Sequence, residues 1–136
     1  MAKLAGFGKT EKLKSRKLIE ELFASGKSQN IFPIRVSYKF LPLQDNEKAG
    51  LQVGVSISKR NFKRAVDRNR IKRLLREAYR LQKNELIELL EEKKKKGYVF
   101  FIYSDKQLPE YSTVFSTMTK CLEILKRKAA INEPIT

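Results

Sequence analysis

The first part of the chain carries a helical pattern of apolar residues. Ser15 can cap a helix that runs to about Ser25, and Gly26 is expected to end that helix in a left-handed conformation. The apolar stripe of this predicted helix consists of Leu18, Ile19, Leu22 and Phe23. A stripe of this kind normally packs into a core, and one turn separates Ile19 from Phe23.

Two following segments alternate with the period of two that is typical of strands, after a short extended piece around Ser28. In the segment 31–41, Ile34, Val36, Tyr38 and Phe40 share one face, and Arg35, Ser37 and Lys39 share the other. In the segment 50–58, Leu51, Val53, Val55 and Ile57 share one face, and Gln52, Gly54, Ser56 and Ser58 share the other. The second face is either solvated or a floor for a ligand, and a glycine inside a strand favours the floor.

The second half of the chain predicts three helices and one more strand. A basic helix covers about 65–81, and a charged helix begins at Asn84, with Lys93–Lys96 in its last turn and Gly97 as its end. The apolar run 98–103 is typical of a buried strand, and Ser112 opens a final helix. The core side of that helix carries Phe115, Met118, Leu122 and Leu125. The pattern predicts an α+β fold, an α/β sandwich in one domain of residues 1–136, with 1–12 and 130–136 as flexible ends.

The charge balance points to a polyanionic partner. Thirty Lys and Arg residues face fifteen Asp and Glu, which gives a formal net charge of +15. Such an excess of like charge destabilises a compact state, and a partner that carries phosphates relieves the repulsion. Nucleic acid is therefore the favoured partner class. No apolar run is long enough to cross a membrane and no signal peptide is visible, so we expect a cytoplasmic protein without a membrane partner.

Several residue types needed for chemistry are scarce. Cys121 is the only cysteine, which excludes an intramolecular disulfide and suits a reducing compartment. The chain has no histidine, the side chain on which acid–base ribonucleases usually depend. Its neighbouring acids lie in polar or charged contexts. We therefore expect no catalytic residues in this protein.

The predicted basic helix separates its residues into two faces. At 100° per residue, Ile71, Leu74, Leu75 and Ala78 form one apolar stripe. The opposite side presents Arg68, Asn69, Arg70, Lys72, Arg73, Arg76 and Arg80. A solvated face with ion pairs is the alternative, but Asp67 and Glu77 cannot neutralise so many cations. The abundance of Arg favours bidentate contacts with phosphates.

With these features, the sequence resembles a known family, the protein component of bacterial ribonuclease P. The resemblance rests on the motif Gly54-Val55-Ser56-Ile57-Ser58-Lys59-Arg60, which leads into Arg68-Asn69-Arg70-Ile71-Lys72-Arg73-Leu74-Leu75-Arg76-Glu77. The former stretch is similar to the family's strand before its crossover, and the latter stretch resembles its arginine–asparagine–arginine signature. The end of the first helix, the strand at 98–102 and the terminal helix resemble the family as well.

The resemblance implies a function and a fold. Proteins of this family pair with a catalytic RNA that hydrolyses precursor tRNA in a Mg²⁺-dependent reaction and leaves the mature 5′ end. The implied partners are the catalytic RNA and precursor tRNA, with no DNA. Mg²⁺ is expected to be held mainly by the RNA, and metal binding by the protein itself is left open. The implied fold is that of the second domain of ribosomal protein S-five: a mixed four-stranded sheet with helices and a left-handed βαβ crossover.

The resemblance also implies two groups of site residues. Contacts with the catalytic RNA are expected from Arg68, Asn69, Arg70, Lys72, Arg73 and Arg76, extended by Lys59, Arg60, Lys63 and Arg64. A cleft for the single-stranded 5′ leader is expected from Ile19, Phe23, Arg35, Ser37, Lys39, Gly54 and Ser56. Many relatives carry an aromatic residue at the position of Ile19 and a basic one at that of Tyr103. Core packing remains the alternative role for Ile19 and Phe23.

Two other functions stay open from the residues alone. A ribosomal protein with the same fold would account for the charge, although not for the detailed motif from Gly54 to Glu77. A protein-only nuclease is disfavoured because histidine is absent and the acids are scattered.

Overall fold

The computed structural model describes residues 12–13 and 15–131. In chain order the elements are α1 (Arg16–Ser25), β1 (Lys27–Ile31), β2 (Ile34–Pro42), β3 (Gly50–Ile57), α2 (Ala65–Gln82), α3 (Asn84–Lys93), β4 (Lys95–Tyr103) and α4 (Tyr111–Ala130). The predicted α+β fold with a mixed four-stranded sheet is confirmed. Of the ends predicted to be flexible, residues 1–11 and 132–136 lie outside the described residues.

The sheet has the order β1-β2-β4-β3. β1 pairs with β2 and β2 with β4 in antiparallel fashion, whereas β3 and β4 run parallel. Helices α2 and α3 connect the two parallel strands, and the left-handedness of that crossover stays a prediction. Because β4 is central and covered on both faces, its residues 98–103 form an unbroken apolar run rather than an alternating pattern.

The main core lies between one face of the sheet and helices α2, α3 and α4. Val36, Phe101 and Met118 are each fully buried in it. The other face of the sheet is partly covered by α1, where Leu22 and Phe100 form a smaller cluster with Leu13. Backbone pairing holds this cluster at the sheet's edge, because the amide of Leu13 donates to the carbonyl of Val53 at 2.9 Å.

Helix α1 begins as predicted but ends differently. The Ser15 hydroxyl accepts a hydrogen bond from the amide of Leu18 at 3.3 Å, which is the predicted N-cap. The left-handed conformation expected at Gly26 is wrong, since its φ is −78°. Glycine is needed there for close approach: a Cβ would lie 2.4 Å from the Leu22 carbonyl oxygen. The chain therefore passes directly from the helix into β1.

The end of α3 also differs from the sequence expectation. The helix ends at Lys93, and Lys94 takes the left-handed cap position with a φ of 55°. Lys95, Lys96 and Gly97 already belong to β4, so the prediction that Gly97 ends the helix is wrong. Gly97 instead makes room in the core, because a Cβ would lie 2.7 Å from the Phe40 ring. Helix α4 begins at Tyr111, one residue before the predicted start.

Candidate nucleic-acid interface

Helix α2 is anchored by the stripe that its sequence predicts. Ile71, Leu75 and Ala78 are fully buried, and Leu74 is packed against the core at partial exposure. Tyr79 is fully buried as well, with its ring 5.9 Å from that of Phe101. The sequence pattern did not indicate Tyr79, although it lies next to the predicted stripe. This anchoring fixes the direction in which the opposite side of α2 points.

The opposite side of α2 is a row of cations, here called the basic face. It consists of Asn69, Arg70, Lys72, Arg73 and Arg76, of which all but the half-buried Lys72 are exposed. Within the part of the chain that the structure describes, none of these four cations forms an ion pair. Because like charges one turn apart repel each other, the bare helix carries an unfavourable term that bound phosphates would reverse.

Two arginines of α2 have partners within the protein. One Nη of Arg68 donates to the carbonyl oxygens of Phe62 and Lys63, at 2.8 Å each. Arg68 therefore ties the loop before α2 to the helix and leaves only part of its guanidinium for a ligand. Arg80 forms an ion pair with Glu77 at 2.5 Å. The hydrogen bond from Arg80 lowers the pKa of the Glu77 carboxyl and raises that of the guanidinium.

The loop before α2 extends the basic face. Lys59, Arg60, Lys63 and Arg64 are all exposed. The loop is ordered by its own backbone: the amides of Asn61 and Phe62 both donate to the Ser58 carbonyl, at 3.2 and 3.3 Å. The Phe62 ring is buried 6.1 Å from the ring of Tyr103. Four exposed cationic side chains are thus carried on a fixed loop beside α2.

Beneath α1, the predicted cleft consists of two grooves. The first has a volume of about 320 Å³ and is lined by Leu22, Phe23, Gly26, Ser28, Arg35, Ser37 and Ile102. Phe23 is 51 % exposed, which rules out the plain core role that was its alternative. Arg35 is exposed at the groove's side and Ser37 is buried in its floor. A flat aromatic surface and a cation therefore face one open channel.

The second groove lies at the edge of β3. Its volume is about 360 Å³, and it is lined by Lys12, Leu13, Ile19, Val53, Gly54, Val55, Arg76 and Phe100. Arg76 of the basic face thus borders the groove that contains Ile19 and Gly54. The two predicted groups of residues meet at this arginine, a proximity that the sequence did not indicate.

The Phe100 ring lies beneath α1 and lines the second groove. Phe100 is only 9 % exposed, and its ring meets that of Phe23 edge to face with centroids 5.3 Å apart. A Cβ on Gly54 would lie 2.5 Å from the Phe100 ring. Gly54 lines the second groove and also accommodates this ring, and its role in the floor for a ligand stays a prediction. Gly54 supports the cleft through Phe100.

The remaining predicted cleft residues lie near its margins. The ammonium of Lys39 donates to the Ser25 hydroxyl at 3.0 Å, at the end of α1. Ser56 is half-buried and pairs with Ile102 across β3 and β4. Tyr103 lies on the opposite face, where burial raises its pKa to about 12 and its hydroxyl donates to the Gln107 carbonyl at 2.6 Å. Tyr103 is therefore not part of the cleft.

Several residues that line the grooves were not predicted to belong to the cleft, among them Lys12, Leu13, Ser28, Phe100 and Ile102. Phe100 and Ile102 carried a signal, because an unbroken apolar strand must present side chains to both faces of its sheet. If β4 is known to be a central strand, both side chains can be placed in the floor of the cleft. Lys12 and Leu13 carried no such signal.

The described residues offer no metal centre and no membrane span. Among residues 12–13 and 15–131, no three His, Cys, Asp or Glu side chains come together in a way that could hold a metal ion. Among the same residues, every helix is too short or too polar to span a bilayer.

Comparison with known proteins bears on both the fold and the family. The ribonuclease P family model matches residues 7–128. The ribonuclease P protein component of Porphyromonas gingivalis is 38 % identical over 117 residues, which cover 86 % of this chain and 84 % of the relative. That of Chlorobium phaeobacteroides is 41 % identical over 85 residues, covering 62 % of this chain and 58 % of the relative.

Solved structures agree in fold. The ribonuclease P protein of Staphylococcus aureus superposes with a TM-score of 0.64 at 19 % identity, over 84 % of this chain and 94 % of that one. The protein from Thermotoga maritima gives 0.61 at 22 % identity, over 86 % and 96 %. With the motif, the basic face and the family match in agreement, the chain belongs to the ribonuclease P protein family.

Proposed function

We propose that this chain is the protein subunit of a ribonuclease P ribonucleoprotein in the cytoplasm. In that assembly the basic face binds the catalytic RNA and the cleft under α1 binds the 5′ leader of precursor tRNA. The RNA performs the hydrolysis that removes the leader. The observation that carries this proposal is the contact between the two surfaces at Arg76, which lies on the basic face and also lines the second groove.

The electrostatics of α2 support the first half of the proposal. The arginines at 70, 73 and 76 are exposed and without ion pairs among the described residues, so phosphates are their natural partners. Each phosphate contact releases condensed counterions, which makes binding strong and dependent on salt. The loop cations from Lys59 to Arg64 add to the same surface.

The cleft supports the second half, because it suits a single strand better than a duplex. Single-stranded nucleic acids bind where aromatic rings stack on bases and cations follow the backbone. Phe23 offers a half-exposed ring, and Arg35 lies in the same groove. The 5′ leader is a single strand that mature tRNA lacks, so on this proposal the groove distinguishes precursor from mature tRNA.

We assign catalysis to the RNA partner because no catalytic group of the usual kind is found in the sequence or among the described residues. The chain has no histidine, and its described residues form no metal-ligating cluster. The protein's contribution is to bind and position two polyanions. Its cations offset the repulsion between the RNAs, which lowers the Mg²⁺ concentration needed at modest salt.

The test is to incubate precursor tRNA and Mg²⁺ with the purified protein, with and without the catalytic RNA of the same cell. We expect no cleavage by the protein alone, and cleavage at lower Mg²⁺ when the protein joins the RNA. Cleavage by protein freed of RNA would establish a protein nuclease instead. Failure to change the RNA's activity would favour a structural RNA binder such as a ribosomal protein.

A further inference from the structure

The turn between β1 and β2 presents an exposed aromatic ring that neither predicted surface includes. β1 and β2 are closed by the pair Ile31 and Ile34, which leaves Phe32 and Pro33 as a two-residue turn. The Phe32 side chain is 65 % exposed, more than that of Phe23 in the cleft. A single exposed apolar residue is ordinary on a protein surface. The backbone that carries Phe32 and the charges around the turn nevertheless point to a binding role for this ring.

The turn is fixed to the end of the sheet. The Pro33 carbonyl accepts hydrogen bonds from the amide of Ser104 at 2.8 Å and from its hydroxyl at 3.1 Å. Pro33 itself is buried. Phe32 therefore stands on a backbone whose position is set by the strand end of β4. Because this backbone is already fixed, little backbone entropy is lost when a ligand stacks on the ring.

The turn also lies at the end of the first groove. Arg35 and Ile102, which line that groove, pair with each other across β2 and β4, and the next pair is Ile34 with Tyr103. Only Pro33 and Ile34 separate Arg35 from Phe32 along the chain, so the turn directly precedes the part of β2 that lines the groove. A strand that lies along the groove and passes Arg35 therefore reaches Phe32 next.

The charges around the turn match a nucleic-acid strand. The cations at this end of the sheet, Arg35, Lys59, Arg60, Lys63 and Lys106, are all exposed. The loop after β4 carries two acids, Asp105 and Glu110, and the Asp105 carboxylate accepts hydrogen bonds from the backbone amides of Lys106 and Gln107, at 2.6 and 3.4 Å. An aromatic ring among cations suits a nucleotide, whose base stacks while its phosphates are neutralised.

We propose that Phe32 is a second stacking site, which holds a nucleobase of the 5′ leader farther along the strand than the base at Phe23. The inference rests on the proposed function, since it extends the leader's path beyond the cleft. It predicts that the protein distinguishes leaders by length as well as by presence. A leader too short to reach the turn gains nothing from Phe32.

The test uses the assembled ribonucleoprotein and a series of precursor tRNAs whose leaders grow by one nucleotide at a time. Phe32→Ala should weaken binding roughly 5- to 150-fold, the equivalent of one lost stacked base, for long leaders alone. Phe32→Tyr should restore it, because tyrosine also stacks. Leu81→Ala is the matched control, because Leu81 is an exposed apolar residue (50 %) at the far end of α2.

Single abasic nucleotides identify the base concerned. An abasic site at the position that meets Phe32 should weaken wild-type binding but add nothing to Phe32→Ala, since the two changes remove the same contact. Phe23→Ala should show this non-additivity at a different leader position. If Phe32→Ala acts equally on all leader lengths, the base belongs to another RNA segment and the inference is wrong.

No effect of Phe32→Ala at any length would overturn the inference as well. In both cases the proposed function would survive if Phe23→Ala still discriminates precursor from mature tRNA. Because Phe32 is exposed and Pro33 keeps the turn, the variant is expected to fold. Its circular dichroism should match that of the wild type.

Discussion

The basic face of α2 and the cleft under α1 are built in opposite ways. The basic face comes from one helix, whose buried stripe lies opposite its exposed cations. The cleft is assembled from α1, β2, β3, β4 and the segment at Lys12 and Leu13. A charged face on one helix can be changed without disturbing packing. A cleft whose lining includes the small cluster of Leu13, Leu22 and Phe100 cannot be changed without disturbing that packing.

In each surface, one residue departs from this division. Arg68 belongs to the predicted basic face, yet its guanidinium holds the carbonyls of Phe62 and Lys63. Phe23 belongs to the cleft, yet it is half-exposed, so its removal should disturb packing less than removal of the buried Leu22 would. Variants for separating binding from folding should therefore use Arg70 and Arg73 on α2 and Phe23 in the cleft.

The largest effect is expected from Arg70→Ala combined with Arg73→Ala. Both side chains are exposed and without ion pairs among the described residues, so the fold should persist. Loss of a charge-assisted hydrogen bond costs about 1.5–3 kcal/mol, and two losses should weaken assembly with the catalytic RNA severely. The slope of log affinity against log salt should flatten by roughly 0.7–0.9 per contact.

Lys120→Ala is the control for this pair, because Lys120 is an exposed cation on α4 outside both surfaces. It should leave the salt slope nearly unchanged. An unchanged slope in the double variant together with a collapsed melting temperature would mean that Arg70 and Arg73 are structural.

In the cleft, Phe23→Ala should weaken binding of precursor tRNA by about 1–3 kcal/mol through the loss of one stacked base. Binding of mature tRNA should barely move, and the salt slope should stay unchanged because no phosphate contact is lost. Equilibrium binding at matched salt, with both tRNAs, measures the difference. Equal losses for precursor and mature tRNA in a folded variant would contradict the leader assignment.

Gly54→Leu tests the support of the cleft rather than its contact surface. The new side chain must displace the Phe100 ring, which an added Cβ would already approach to 2.5 Å. Overpacking of this kind costs roughly 1–3 kcal/mol of stability, seen in urea unfolding. Leader discrimination should fall with it, since the Phe100 ring contacts Phe23. A fully stable variant with normal discrimination would show that this ring is free to move.

The sequence predicted the elements well because their signals are local. The stripe of α2, the Ser15 cap and the buried strand at Tyr98 each follow from a period or a single side chain. The end of α3 was predicted wrongly because Lys94 adopts a left-handed conformation that glycine usually takes. Gly97 is instead required because the Phe40 ring leaves no room for a Cβ at this position. Contacts of this kind depend on which strands are neighbours in the sheet, and a local sequence pattern does not contain that information.

The two surfaces of the candidate site also differ in how far the sequence predicts them. The basic face could be predicted, because one helix carries it and the period places its residues. The cleft was predicted in part, since Phe100 and Ile102 reach it only through the insertion of β4 between β2 and β3. The meeting of the two surfaces at Arg76 depends on that same tertiary arrangement.

The smallest expected effect is that of Glu77→Gln, which removes one of the two acids of α2. The change raises the positive charge of this helix, so affinity for the catalytic RNA should rise, by less than about fivefold because exposed charges are well screened. The hydrogen bond with Arg80 lowers the pKa of Glu77, so this carboxylate stabilises the fold at pH values above its ordinary pKa. That contribution is lost as the pH falls through the lowered pKa. The melting temperature of the free protein should therefore exceed that of Glu77→Gln near neutrality, and the two should converge in acid. A difference that persists in acid would mean that Glu77 stabilises α2 by packing and not by its charge.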